Sequence, residues 1–195
     1  LATAALLLPL GRLVDLRGKR PLFVWGMLGL AAVTAAVPLA PSAGWLLVLR
    51  AAQGALGAVP FAASTPLLLA HTAPERRGRA IGITVAGVYT GLTLGPVVGG
   101  LLTRELGWQS IFFITGAAAF LVFGAAFRLP PDPPGRAAGR FDATGSVFSG
   151  VALVALMVGF ARLPDVLGVV LFVVGGLAGV AFVRHELRAA SPLIN

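Results

Sequence analysis

The chain has 195 residues, of which 57% are hydrophobic and only 11% charged, and its mean hydropathy is +0.93. A water-soluble domain carries about 25% charged residues, so this composition excludes an ordinary soluble fold and points to lipid as the main solvent. The net charge of +8 would suit a nucleic-acid binder, but the absence of cysteine and the presence of only two histidines leave no disulfide, thiolate centre or ligand-spaced metal site.

A helix that crosses the hydrocarbon core needs about 20 largely apolar residues. In chain order, hydropathy supplies a truncated segment at 1–11 and then six full ones at 21–39, 45–70, 80–102, 111–127, 144–161 and 166–183. None shows the strict polar–apolar alternation of a lipid-facing barrel strand. Helices satisfy their own backbone polar groups in lipid, where glycine and proline are also common. The expected fold is all-α: a polytopic transmembrane helix bundle, incomplete, with one truncated and six full spans. Because Leu1 already stands inside an apolar segment, with no methionine and no signal-peptide start, the chain reads as a fragment of a longer protein.

The charges lie between the segments, and unevenly. Arg12, Arg17, Lys19 and Arg20 follow the first segment, and Arg76, Arg77 and Arg79 follow 45–70. Arg128, Arg136 and Arg140 follow 111–127, and Arg184 and Arg188 follow the last. The intervening turns hold only Arg104, offset by Glu105, and Arg162, offset by Asp165. By the positive-inside rule the basic loops are cytoplasmic, in a multi-pass protein of the cell membrane. Short loops between spans do not require a basic groove, so the cationic excess is mainly topology and nucleic acid is not an expected partner.

The longest connection, "RLPPDPPGRAAGRFD" at 128–142, is rich in proline and arginine and reads as a semi-extended linker. It divides the chain into a helix group at 1–128, a linker at 129–143, and a helix pair with its following loop at 144–195.

Three stretches carry more than hydropathy. In "GRLVDLRGKRP" the glycines Gly11 and Gly18 permit a tight turn between packed helix ends. Asp15 there can bond nearby arginines or favour a helix N-terminus; the plainer reading is a solvated basic loop. In "LLVLRAAQGALGA", Arg50 stands within a span, where an arginine costs about 2.5–3.5 kcal/mol at the helix centre. Two readings fit Arg50. It snorkels to the interface from a site five residues past Trp45, or with Gln53 it lines a polar cavity. In "GVYTGLTLGPVVGGLL", Gly87, Gly91, Gly95 and Gly99 recur every four residues, making a flat stripe for close helix approach, and Pro96 removes a helix hydrogen bond.

Taken together these stretches resemble the major facilitator superfamily of transporters. Gly11, Leu13, Asp15, Gly18, Lys19 and Arg20 fall on the pattern of its loop between the second and third helices, with Leu16 departing where a basic residue is usual and Arg17 one place on. Arg50, Gln53 and Gly54 fall on its fourth-helix pattern. Gly91, Gly95, Pro96, Gly99 and Gly100 match the fifth-helix motif of its antiporters. "WQSIFFI" resembles the start of its sixth helix, although Gln109 and Ser110 depart from it. "RFDATGSVFSGVALVALMVG" and "RHELRAASPLIN" resemble the central extra helices and following loop of the fourteen-helix drug:proton antiporters, which would make the chain helices two to eight of fourteen.

The resemblance implies proton-coupled efflux of small, hydrophobic or drug-like molecules by alternating access, without a cofactor, a metal or enzymatic catalysis. Arg50 and Gln53 would serve transport and proton coupling. Gly11, Asp15, Arg17, Gly18, Lys19, Arg20, Arg76, Arg77 and Arg79 would form a conformational gate, with Asp15 in salt-bridge reach of the Arg76–Arg79 cluster. Arg50 is expected to face the interior beside Gln53 and the glycine stripe. The implied partners are membrane lipid, a small-molecule substrate, protons and the remainder of the chain. None of the seven acids lies mid-span, and in the resembled family the proton-carrying acid is in the first helix, which is not in this segment. The alternatives are a symporter, an exporter of lipid, siderophore or metabolite, and a membrane-embedded enzyme, for which His71 with Glu75 is the sole weak candidate.

Overall fold

The computed structural model describes residues 1–132 and 141–188. The expectations that fall on Arg136, on Arg140 and on 189–195 lie outside the described residues. Seven α-helices make up the described fold: α1 Ala2–Arg17, α2 Lys19–Ala36, α3 Ala43–Ala70, α4 Arg77–Leu106, α5 Gln109–Ala126, α6 Ala143–Ala161 and α7 Val166–Glu186. Among the described residues there is no strand. The last six helices, two of them extended by short 3-10 turns, are long and apolar enough to cross a membrane, in agreement with the six full spans.

One boundary differs from the expectation. The charged stretch after residue 11 is not a loop: α1 stays helical to Arg17, and only Gly18 interrupts the chain before α2 begins at Lys19. Charge ends a membrane span without ending a helix, because the backbone hydrogen bonds continue in water. The break comes where a residue adopts φ +108°, and Gly18 is the residue that can do so without a Cβ clash. Gly11, by contrast, lies inside α1 with room for a side chain, so its expected part in the turn is not seen.

The helices pack side by side in the order α5, α2, α3, α1, α6, α7. The central α2 touches α3 on one side and α5 on the other, α1 packs on α3, and α6 packs on α1 and on α7. Small residues make these approaches possible. A Cβ on Gly26 of α2 would lie 2.9 Å from Pro60 of α3, and one on Gly116 of α5 would lie 3.3 Å from the Ala35 nitrogen of α2. Met27 and Ala31 of α2 and Ala119 of α5 form a buried cluster, flanked by Phe23, Leu30 and Phe123. The helix α4 stands apart. It meets α5 and α3 only sparsely, and none of its residues is buried.

Capping fixes the helix ends. Ser42, in extended backbone, accepts a hydrogen bond from the Trp45 N–H at 3.3 Å to start α3, and Asp142 accepts one from the Gly145 N–H at 2.9 Å to start α6. Alternation of direction gathers the ends of α1, α3, α5 and α7 with the starts of α2, α4 and α6. This is the basic end of the bundle.

Candidate functional site

At the opposite end of the bundle, α3 turns a polar edge toward α2 and α5. Arg50 and Gln53 are three residues apart and therefore share a helix face. The Arg50 Nη1 donates to the Gln53 Oε1 at 2.9 Å, and the Gln53 Nε2 donates to the Thr34 Oγ1 of α2 at 2.9 Å. The Arg50 guanidinium carbon lies 5.1 Å from the centre of the Phe112 ring on α5, within cation–π range. One hollow of about 440 Å³ is bounded by Arg50, Gln53, Thr34, Trp108, Phe112 and Thr115. A second, of about 750 Å³, opens on the α1 side between Arg50, Gln53, Gly54, Ala2 and Thr3. Gly54 keeps that side narrow: a Cβ there would lie 3.1 Å from the Ala2 Cβ, and the Thr3 hydroxyl donates to the Gly54 carbonyl at 2.9 Å.

Arg50 thus stands beside Gln53 as expected, but not against the glycine stripe. It faces Phe112 of α5, and α4 is elsewhere. Its side chain is exposed to the hollows, held by one amide and one aromatic ring. Among the described residues no acid pairs with Arg50, so the guanidinium is oriented without being neutralised and has donors left to meet an anionic or polar group in either hollow.

The basic end has a different arrangement from the one expected. Asp15 and Arg17 are exposed, and among the described residues no ion pair joins Asp15 to Arg76, Arg77 or Arg79. The acid that acts here is Asp132, at the start of the linker. Both its carboxylate oxygens accept from the Arg20 backbone N–H, at 3.0 and 3.2 Å, in the first turn of α2. A carboxylate at a helix N-terminus is favoured by the unpaired N–H groups and the helix dipole. The Arg20 side chain donates onward to the Phe127 carbonyl at 2.8 Å. The close seat explains Gly18 a second time, since a Cβ there would lie 2.7 Å from the Asp132 Oδ2. Arg77 donates from Nε to the Thr72 carbonyl at 3.3 Å. His71 bonds the carbonyls of Leu67 and Pro131 and not Glu75, which leaves the enzyme candidate without its pair.

Comparison with known proteins fits this picture. The Major Facilitator Superfamily profile matches residues 1–184. The chain belongs to the major facilitator superfamily. Over its full length it is 32% identical to the tetracenomycin C resistance and export protein of Streptomyces glaucescens, covering 37% of that protein. It is 35% identical to the puromycin resistance protein of Streptomyces alboniger, covering 40%, and 35% identical to the cephamycin export protein of Amycolatopsis lactamdurans, covering 42%. The chain therefore spans about two fifths of the length of these curated relatives. The superfamily is one of membrane transporters, which sets aside the enzyme reading.

Within this superfamily chain, the motif of Gly91, Gly95, Pro96, Gly99 and Gly100 lies on α4 without a helix against it. A Cβ on Gly87, Gly91, Gly95 or Gly100 would meet nothing within 4 Å, and one on Gly99 would meet only the Ile111 side chain at 3.7 Å. The flat stripe exists; the neighbour expected to lie on it is not among the described helices. Among the described residues the side chains of Lys19, Arg76 and Arg79 likewise make no hydrogen bond or ion pair that ties them to the gate. Sequence reasoning missed Thr34, Phe112 and Asp132. For Asp132 a signal was present, because an acid flanked by prolines is held extended and suits a helix N-terminus better than a solvated loop does.

Proposed function

We propose that the chain is part of a proton-coupled antiporter that exports small, hydrophobic or drug-like molecules across the cell membrane by alternating access. The observation that carries this reading is Arg50, a cation held by Gln53 and Phe112 on the edge of two hollows at the end of an apolar helix. An oriented and incompletely paired cation can answer a charge change nearby, which proton coupling requires. The export and resistance proteins to which the chain is similar support efflux of antibiotic-like molecules, and the glycine motif on α4 supports antiport. Substrate would bind near the midplane between this helix group and the rest of the longer protein. The basic end, with Arg17, Lys19, Arg20, Arg76, Arg77 and Arg79, is assigned to the cytoplasm by the positive-inside rule. The α6–α7 pair is assigned as the central insertion of the fourteen-helix branch.

The test is transport by the full-length protein in proteoliposomes with an imposed proton gradient and a cationic dye as the probe. Arg50→Ala is expected to lower gradient-driven flux by at least about tenfold, an effect worth about 1.4 kcal/mol at the coupling step. Insertion should be retained, and Arg50→Lys should recover only part of the flux, because an ammonium lacks the planar fork. Normal dye export by Arg50→Ala would return Arg50 to the snorkelling reading. Dye flux that runs down the gradient together with protons would make the protein a symporter.

A further inference from the structure

The hollow of about 440 Å³ between α2, α3 and α5 has walls of two kinds. One is cationic. Arg50 gives a single N–H to Gln53 at 2.9 Å, and a guanidinium carries five. Gln53 in turn donates to Thr34 at 2.9 Å, so a chain of bonds runs from α3 to α2 and fixes the direction of the fork. Thr34 is buried, and its hydroxyl accepts that bond and has its own O–H left to donate. The other wall is aromatic. Trp108 and Phe112 of α5 stand edge to face with ring centres 5.8 Å apart, and the guanidinium lies over the Phe112 ring. The volume falls within the roughly 300–1,000 Å³ of small-molecule sites. The second hollow, on the α1 side of Arg50, has no aromatic ring among the described residues that bound it.

The acids of the chain do not balance this charge. All seven lie among the described residues. Asp15, Glu75, Asp132, Asp142 and Glu186 stand at the basic end, away from the hollow. Of the two at the same end, Glu105 pairs with Arg104 at 3.1 Å, and Asp165 starts α7, which α1 and α6 separate from α3. An anion that enters the hollow therefore gains charge-assisted bonds from donors already aimed, at little cost in ordering them. A neutral molecule gains only ordinary hydrogen bonds there, and a cation is repelled.

We propose that this hollow selects an aromatic organic anion, a planar ring system bearing a carboxylate, with the anionic group on Arg50 and Thr34 and the ring against Trp108 and Phe112. The inference rests on the reading of the chain as part of a small-molecule exporter, and it names the chemical class which that exporter favours. With one of its N–H groups used on Gln53, the Arg50 fork still presents a parallel pair to the two oxygens of a carboxylate. The aromatic wall takes the apolar body of the ligand by ring-to-ring contact, which a purely aliphatic acid cannot match. With the basic end assigned to the cytoplasm, the hollow lies toward the outer face, on the side of release.

The experiment is equilibrium binding to the full-length protein in nanodiscs at about pH 7.5, where a carboxylate is ionised, with uptake by empty nanodiscs subtracted. The probes share one ring system: naphthoate, naphthamide and naphthylmethylammonium. Naphthoate is expected to bind at least about tenfold tighter than the amide, and the amide tighter than the ammonium. Arg50→Gln should bring acid and amide within about twofold of each other. Trp108→Ala should weaken both alike and preserve their ratio. Gradient-driven dye flux tests coupling, whereas this binding needs no gradient, so the two readings fail separately. Equal affinity of acid and amide for the native protein overturns the proposal, and means that an acid from the rest of the chain already neutralises Arg50. A preference for the acid that survives Arg50→Gln overturns it as well, because the anion then binds elsewhere. If Arg50→Gln does not insert, Gln53→Leu decides: it frees the fork from its anchor and should lower the ratio by about threefold or more, and an unchanged ratio counts against the proposal.

Discussion

The chain uses rows of glycine in two places, and they do opposite things. Between α6 and α7 the glycines are contact points. A Cβ on Gly159 would lie 2.5 Å from the Phe172 nitrogen, and one on Gly175 would lie 2.7 Å from the Leu156 nitrogen. Along α4 the glycines at 87, 91, 95 and 100 face open space. Without a hydrophobic force between helices in lipid, close backbone approach is what holds a helix pair together. The α6–α7 stripe is therefore a fastener, and the α4 stripe is a surface on which another helix can lie or slide. Spacing alone does not distinguish the two; the neighbour does.

The strongest way to break this comparison is a matched pair of alanine substitutions. Gly159→Ala puts a methyl group into the backbone of α7, and relief requires α6 and α7 to move apart, at a cost of about 1–3 kcal/mol. Gly95→Ala meets no atom and removes a helix-weakening residue, so it should be neutral or stabilising by up to about 1 kcal/mol. Thermal unfolding of the full-length protein in one detergent would read both. Equal destabilisation would mean that α4 packs as tightly as α7, and the contrast would fail. A Gly95→Ala protein that is stable but slow in export would sharpen the contrast, placing the function of this stripe in motion and not in stability.

A gentler test compares the greasy α6–α7 seam with the polar α2–α3 seam. Gln53 joins Arg50 to Thr34 by two hydrogen bonds of 2.9 Å, and the apolar Gln53→Leu removes both. Each bond is worth about 0.5–1.5 kcal/mol net. The predicted loss is on the order of 1 kcal/mol, because Arg50 is exposed and water replaces part of what it loses. Unfolding should register this small change, while the Arg50–Phe112 contact persists and can be followed by the salt dependence of unfolding. A loss as large as that of Gly159→Ala would show that the polar seam bears more of the stability than the geometry implies.

How much of this was legible in the sequence follows from which interactions are local. The six full spans were visible because hydropathy and length decide them, and the Arg50–Gln53 pair was visible because residues three apart share a helix face. The helical course of residues 12–17 was not, since charge marks the limit of lipid and not the limit of hydrogen bonding. Thr34 and Phe112 were hidden because they reach Arg50 only after α2 and α5 fold beside α3. The Asp15 expectation went astray for the same reason: several arginines were within plausible loop reach, while the site filled by an acid was the α2 N-terminus, taken by Asp132 from more than a hundred residues away.

The smallest predicted effect concerns the start of α6, at Asp142. Burial pushes its carboxyl up, but hydrogen bonds from Gly145 and His185, with the charge of His185 and a further bond from Thr144, outweigh it and hold the group below the usual carboxylate range. A depressed carboxyl contributes stability that is present above its unfolded value and is lost as pH falls through its folded value. Asn caps a helix as well as Asp does, so Asp142→Asn keeps the bond to Gly145 and removes only the charge facing His185. For a partly exposed pair this amounts to at most about 1 kcal/mol near neutral pH. The difference between the two proteins should vanish in acid, once the native carboxyl is itself protonated. Asp142→Ala should lose about 1 kcal/mol more at every pH, because the cap goes too. Unfolding curves for the three proteins at neutral and acidic pH separate the cap from the charge, and an Asn variant that matches the native protein at neutral pH would show that the pair carries no stability of its own.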